Sequence, residues 1–345
     1  MYKSLKHRTG SSRPLGRWNN RIRAVFRGLL LLVALFSAGS EKVVAEESER
    51  DGELYWVKAP VTSVFADIYD DSERVTQVLC GEAVRVWGET EDNQFKEVTV
   101  SNQYREMEGY PGWIYSCYLT PDYCNNGNEV DLSGQPVLYP WKLNASASKP
   151  KQVMLIKPQV NVYERPDGQK VTTVLFASSV LALAESECHV NAAGQAYWQV
   201  LLPGRPGRFF IKKDEAVTET LPACAEDVLA TAKLFKGSPY LWGGLSCHGI
   251  DCSGLVYVSC KLHGLIVPRD ADQQFSVGIP LSRDELCPGD LVFFGKNEEN
   301  VWHVGFYLGN GLFWDSSGKN GVGISSLDEP KRFRSFLGGR RYFEE

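Results

Sequence analysis

The sequence predicts a multidomain protein in which two small all-β units precede an α+β unit, and three observations carry that expectation. About three hundred residues follow position 45, more than one hydrophobic core usually holds. Residues 53–122 and 151–216 each show short alternating apolar runs broken by turn residues, with no long helical period. Residues 217–345 instead combine a helical-period run after Cys252 with alternating runs around His303.

The chain begins with a targeting pattern. Residues 1–27 hold eight Lys or Arg and no acid, and Gly28-Leu-Leu-Leu-Leu-Val-Ala-Leu-Phe36 is an apolar core too short to span a bilayer. Small residues follow at Ser37-Ala-Gly39 and Val43-Val-Ala45. Residues 1–45 therefore read as a secretory signal peptide, which sends the protein across the inner membrane to the periplasm or cell envelope and leaves no integral membrane span in the mature chain. No Cys directly follows the apolar core, which argues against a lipoprotein. Removing residues 1–45 takes away nine basic residues and one Glu, so the net charge moves from −5 to −13. A chain this acidic is a poor partner for anionic polymers, which excludes nucleic acid.

The two β units look like divergent repeats. Ala66-Asp-Ile-Tyr-Asp-Asp-Ser72 compares with Val160-Asn-Val-Tyr-Glu-Arg-Pro166, Gly81-Glu-Ala-Val-Arg-Val86 with Ser178-Ser-Val-Leu-Ala-Leu183, and Gly112-Trp-Ile114 with Arg208-Phe-Phe-Ile211. Residues 123–150, rich in Asn, Gly, Ser and Pro, read as a linker or insertion between them.

The chemistry is concentrated in the last third. A thiol attacks a carbonyl only as thiolate, so a working Cys needs a base and donors for the oxyanion. Leu255, Val256, Ser259, Leu262 and His263 stand at helical spacing and Gly264 is a natural stop, which puts Asp251 and Cys252 at a helix start. The unpaired backbone N–H groups there favour a thiolate and can donate to an oxyanion. Val301-Trp-His-Val-Gly-Phe-Tyr-Leu308 alternates as a strand, and Pro288-Gly-Asp-Leu-Val-Phe-Phe294 turns into another. A Gly309-Asn-Gly311 hairpin then returns the chain as Gly311-Leu-Phe-Trp-Asp-Ser316, which places Asp315 near His303. Such an Asp fixes the imidazole tautomer and favours imidazolium, completing a Cys252-His303-Asp315 arrangement.

Two other histidines compete for the role of base. His263 ends the helix that Cys252 begins, about 16 Å away, and is out of reach. His248 sits in the loop Ser246-Cys-His-Gly-Ile250, where a surface position without a role is the simpler expectation. Nine cysteines, at 80, 117, 124, 188, 224, 247, 252, 260 and 287, suit one free nucleophile plus as many as four bridges, or a set of reduced thiols. Their spacing matches no zinc site, so neither metal nor cofactor is expected.

Together these residues resemble the NlpC/P60 family of bacterial cell-wall endopeptidases. The resembling segment runs from about 233 to 343 and includes Tyr-x-Trp-Gly-Gly at 240–244, Asp-Cys-Ser-Gly-Leu at 251–255, Pro268-Arg269 followed by Gln274, Pro-Gly-Asp-Leu-Val-Phe-Phe at 288–294 and His303-Val-Gly. The resemblance implies a papain-like core for residues 217–345. It implies a thiol peptidase that cuts the γ-D-glutamyl-diamino acid bond of peptidoglycan stem peptides as a monomer, with Tyr240 contacting substrate. One departure is that the third catalytic position is usually His, Asn or Gln, whereas here it is Asp315. The two β units resemble bacterial SH3-like domains that often precede this peptidase. In members with two of them, the first closes the substrate cleft with a Glu and a Tyr on the free amine of the peptide's first alanine. The matching positions are Glu82 and Tyr110, with Asp251 and Ser253 completing the anchor. A wall-binding protein with a decayed peptidase domain and an N-acetylmuramoyl-L-alanine amidase are the competing expectations.

Overall fold

A computed structural model describes residues 52–104, 109–123 and 152–343. The expected signal peptide at 1–45 and all of the connecting segment except Tyr123 lie outside the described residues. Among the described residues no helix is long and apolar enough to cross a membrane.

The first β unit is an antiparallel seven-stranded sheet ordered Arg74–Leu79, Val61–Phe65, Tyr110–Tyr115, Phe95–Val100, Ala83–Glu89, Glu53–Val57 and Leu119–Thr120. Its alternating β-branched residues meet inside, with Val57, Val64, Val78, Val84, Val98, Val100 and Ile114 forming the core. The second unit has a five-stranded sheet ordered Val171–Phe176, Gln159–Tyr163, Arg205–Lys212, Ala196–Leu202 and His189–Val190. Beside it lies a three-stranded sheet of Val180–Ala182, Gln152–Leu155 and Ala216–Val217.

In both units the first strand of a hairpin lies between its partner and a later long strand. Val61–Phe65 sits between Arg74–Leu79 and Tyr110–Tyr115, as Gln159–Tyr163 sits between Val171–Phe176 and Arg205–Lys212. One of the three repeat pairings is therefore out of register. Tyr163 is buried in its strand, whereas Tyr69 is 69% exposed in the turn that follows Val61–Phe65. That turn is closed by the Ala66 N–H on the Glu73 carbonyl and the Asp67 N–H on Ser72 Oγ, local polar closure that a hydrophobic pattern does not reveal.

The third unit packs helices on an antiparallel six-stranded sheet ordered Ile279–Leu281, Phe336–Arg341, Leu291–Gly295, Val301–Gly309, Leu312–Ser317 and Gly321–Ser326. One sheet face, with Leu291, Phe293, Val304, Phe306 and Trp314, packs on the helices Ala225–Lys233 and Cys252–Leu262. The other face carries Val292, Phe294 and Phe313. Every residue of Cys252–Leu262 is buried, as expected for a helix enclosed on all sides. It ends as predicted, with Gly264 at φ +74° just beyond His263. The hairpin after Val301–Gly309 turns on Asn310 and Gly311, both at positive φ, which suits the right-handed twist of the strands it joins.

Candidate active site

Cys252 is the first residue of its helix, and Asp251 is the N-cap, accepting the Gly254 N–H at 2.6 Å. The approach before it is tight. A Cβ on Gly254 would stand 2.3 Å from the Gly244 carbonyl oxygen, and one on Gly244 equally close to that of Gly249, so the two motif glycines let the loop lie directly on the helix start. The loop is further held by the Gly243 N–H on Asp251 Oδ2 at 2.7 Å and by a parallel bridge between Tyr240 and Ile250.

The Cys252 side chain is buried, and the backbone amides of Val304 and Ser253 act to favour its thiolate. Val304 follows His303, so the strand Val301–Gly309 carries the base at the position next to the backbone that faces the thiol. His303 and Asp315 lie on the same face of the sheet, with Gly305 leaving room between them: a Cβ there would stand 3.2 Å from that of Asp315. His303 Nε2 meets Asp315 Oδ2 at 2.7 Å. A carboxylate accepts only, so Nε2 carries the proton and Nδ1 is the nitrogen left for exchange.

Burial dominates the electrostatics. It pushes the Cys252 thiol up to about 12, the Asp251 charge adds to this, and the amides of Val304 and Ser253 offset part of it. Burial also holds His303 below its ordinary value, its hydrogen bond to Asp315 working against that and the Arg332 charge with it. Burial thus favours the neutral thiol and the neutral imidazole, opposing the thiolate and imidazolium that a helix start and an Asp favour. Desolvation outweighs both effects when neither group meets water. Tyr240 is raised as well, by burial first and then by Cys252 and Asp251, so its phenol remains a donor beside the sulfur.

The segment from 237 to 341 matches the NlpC/P60 family. The gamma-D-glutamyl-L-lysine dipeptidyl-peptidase of Bacillus subtilis (strain 168) is 31% identical over 277 residues, covering 78% of this chain and 81% of the relative. The chain belongs to the NlpC/P60 family. An enzyme of the same name from Bacillus cereus (strain ATCC 10987 / NRS 248) is 29% identical over 295 residues, covering 83% of this chain and 80% of the relative. The probable endopeptidase NlpC of Escherichia coli (strain K12) is 43% identical over 109 residues, covering 31% of this chain and 71% of the relative. In fold, the crystal structure of an NlpC/P60 family protein from Bacillus cereus ATCC 10987 superposes with a TM-score of 0.67 at 23% identity, covering 84% of this chain and all of that one.

Of the residues singled out in this NlpC/P60 chain, Cys252, His303, Asp315, Tyr240, Asp251 and Ser253 come together, and Glu82 does not join them. Its carboxylate accepts the Leu79 N–H at 2.7 Å, the Asn102 amide at 2.8 Å and the Lys261 ammonium, and the ion pair is buried on both sides. Lys261 lies nine residues along the helix from Cys252, about 14 Å at the helical rise, so Glu82 is turned away from the nucleophile and its oxygens are already engaged. The Tyr110 hydroxyl donates to Asp270 Oδ2 at 3.0 Å. His248 packs away from the site, edge-on to the Phe176 ring and 3.3 Å from Gln159 Oε1. His263 bridges Thr231 and the Pro222 carbonyl.

Three residues near the site escaped assignment from sequence. Arg269, noted only as part of a motif, donates to both oxygens of Asp251, to Ser253 Oγ, to the Gly244 carbonyl and, through Nε at 2.9 Å, to Thr76 of the first β unit. Ser325 Oγ donates to Asp315 Oδ1 at 2.8 Å, and Arg332 Nη2 to Asp315 Oδ2 at 2.7 Å. An Arg in a basic run such as Lys331-Arg-Phe-Arg334 reads as surface, and no periodicity marks the one that turns inward. All eight described cysteines carry free thiols, and no group of three His, Cys, Asp or Glu among the described residues converges to hold a metal.

Proposed function

We propose that this chain hydrolyses the γ-D-glutamyl-diamino acid bond of peptidoglycan stem peptides, with Cys252 as nucleophile, His303 as base and Asp315 as the group that orients the imidazole. The observation that carries this reading is the extent of the two Bacillus relatives. They match through both β units as well as the peptidase segment, at 78% and 83% of the chain, and both bear the name of that activity.

In this reading the Sγ–H proton passes to His303 Nδ1 as sulfur attacks the carbonyl of the γ-D-glutamyl residue. The neutral pair becomes charged only as the oxyanion forms, which the helix-start amides and the Tyr240 hydroxyl stabilise. The imidazolium then returns its proton to the leaving amine, and water activated by His303 releases the acyl group. Asp251, Ser253 and Tyr240 contact the substrate around this centre. The two β units are SH3-like domains at 53–122 and 151–216, and the first closes one end of the cleft so that peptides with a free N-terminal L-alanine are cut preferentially. Glu82 and Tyr110 of the first unit meet the free amine of that alanine. Residues 1–45 direct the chain to the periplasm or cell envelope, where it works as a monomer.

The test is mass spectrometry of products from L-Ala-γ-D-Glu-diamino acid peptides, free, N-acetylated and sugar-linked. Cleavage after γ-D-glutamate, fastest for the free peptide and abolished in Cys252→Ala, is expected. Release of muramic acid from L-alanine would make the protein an amidase instead, and turnover by Cys252→Ala would end the thiol mechanism.

A further inference from the structure

Asp315 is 1% exposed, and a lone carboxylate so placed would carry a large desolvation cost. It would also bind a proton on His303 tightly, and a charged imidazole cannot accept the thiol proton. The structure supplies a counter-charge. Arg332 Nη2 reaches Oδ2 at 2.7 Å, the same oxygen that His303 Nε2 meets at 2.7 Å, while Ser325 takes Oδ1.

The guanidinium is held from a second direction. It lies 5.0 Å from the centre of the Phe294 ring and 5.7 Å from that of Phe313. Phe294 in turn lies 5.8 Å from the His303 ring, so one aromatic platform supports both cation and base. Arg332 reaches this place from the short helix Pro330–Ser335, and its side chain is only 16% exposed.

We propose that Arg332 is a positioning residue for His303, holding Asp315 as half of a neutral ion pair so that the carboxylate orients the imidazole without charging it. This rests on the catalytic reading above. The charged groups that act on His303 are Asp315 from the neighbouring strand and Arg332 and Lys331 from the helix, while Cys252 at the helix start is acted on by Asp251 and Asp315. Asp251 has its own cation in Arg269, so Arg332 is the side chain that balances Asp315. The direction of the His303 shift agrees, since the Arg332 charge works with burial to keep the ring neutral.

The experiment follows His303 by NMR titration of its ring, alongside the pH profile of peptide cleavage, in the full protein and its variants. Arg332→Gln should raise the His303 pKa, and with it the acid limb of the rate profile, by about one unit or more. Arg332→Lys, which keeps the charge and loses the fork, should shift both by less than half as much. Adding Asp315→Asn to Arg332→Gln should cancel the shift, because no buried carboxylate is left to neutralise. A folded Arg332→Gln protein with an unchanged His303 titration would overturn the proposal, as would a shift that survives in the double variant. Should Arg332→Gln fail to fold, the Lys variant decides: a titration displaced by as much as a full unit would mean that charge is not what Arg332 contributes. The ring titration needs no substrate, so a protein that cuts no stem peptide yet shows these shifts would sink the catalytic reading and leave this one standing.

Discussion

The two β units meet the peptidase unit through different chemistry. The first touches the catalytic elements themselves through polar contacts, several of them buried. Glu82 pairs with Lys261 and the Asn102 carbonyl accepts from Tyr257, both on the helix that starts at Cys252. Thr76 accepts from Arg269, and Gln77 Oε1 from the Leu245 N–H in the loop before the nucleophile. The second unit contributes apolar side chains. Met154 and Ala177 belong to the main core of the peptidase unit, with Ile156, Val180 and Val217 packed against it. Apolar burial is strong but tolerant of small shifts, whereas a buried ion pair or a carbonyl aimed at one hydroxyl holds only in one register. The comparison teaches that the first unit sets the geometry of the site, and the second supplies stability to the body that carries it.

The largest effect should come from breaking the Glu82–Lys261 pair on one side. Lys261→Met leaves a buried carboxylate without its cation, at a cost of about 3–5 kcal/mol. Denaturant melts should show that loss together with a fall in peptidase rate, because the helix that bears Cys252 loses its pin. Pairing it with Glu82→Gln should recover much of the stability. If the double variant is as unstable as the two single changes added together, the pair is not acting as a unit and the contrast between the interfaces fails.

Met154→Ala should be the next in size, costing about 2–5 kcal/mol for the cavity it opens. Here the comparison is sharpened by what should not change: below its melting transition this variant should cut peptide with the parent kcat and KM. A depressed kcat in fully folded Met154→Ala would show that the second unit also governs the site.

The smallest effect is expected for His248→Ala, within about 0.5 kcal/mol in stability and with unaltered kinetics. Its contacts with Gln159 and Phe176 are peripheral and exposed on one side. A marked rise in KM would place the Ser246–Ile250 loop in substrate binding and redraw the boundary between the two interfaces.

Much of the candidate site was legible because its signals are local. An Asp before a Cys at the head of an apolar run reads as an N-cap, Asn310-Gly311 reads as a hairpin turn, and the strand that returns from it has to place Asp315 near His303. The two β units followed from alternation in the same way, although one repeat pairing slipped where a polar-closed turn replaced a strand. The partner of Glu82 was not legible, since Lys261 lies 179 residues away and looks like the solvent-facing residue of a helix end. Nor was the inward turn of Arg332, or the task of Arg269 in tying the nucleophile loop to the first unit.

By itself, then, the sequence determined the kinds of elements, the order of the chemistry along the chain and the adjacency of neighbours in one hairpin, because caps, turns and side-chain period act over a few residues. Tertiary structure alone decided which charges are buried together and how far burial moves the nucleophile and its base. Desolvation depends on everything packed around a group, and for Cys252 and His303 that surrounding is drawn from segments scattered along the chain.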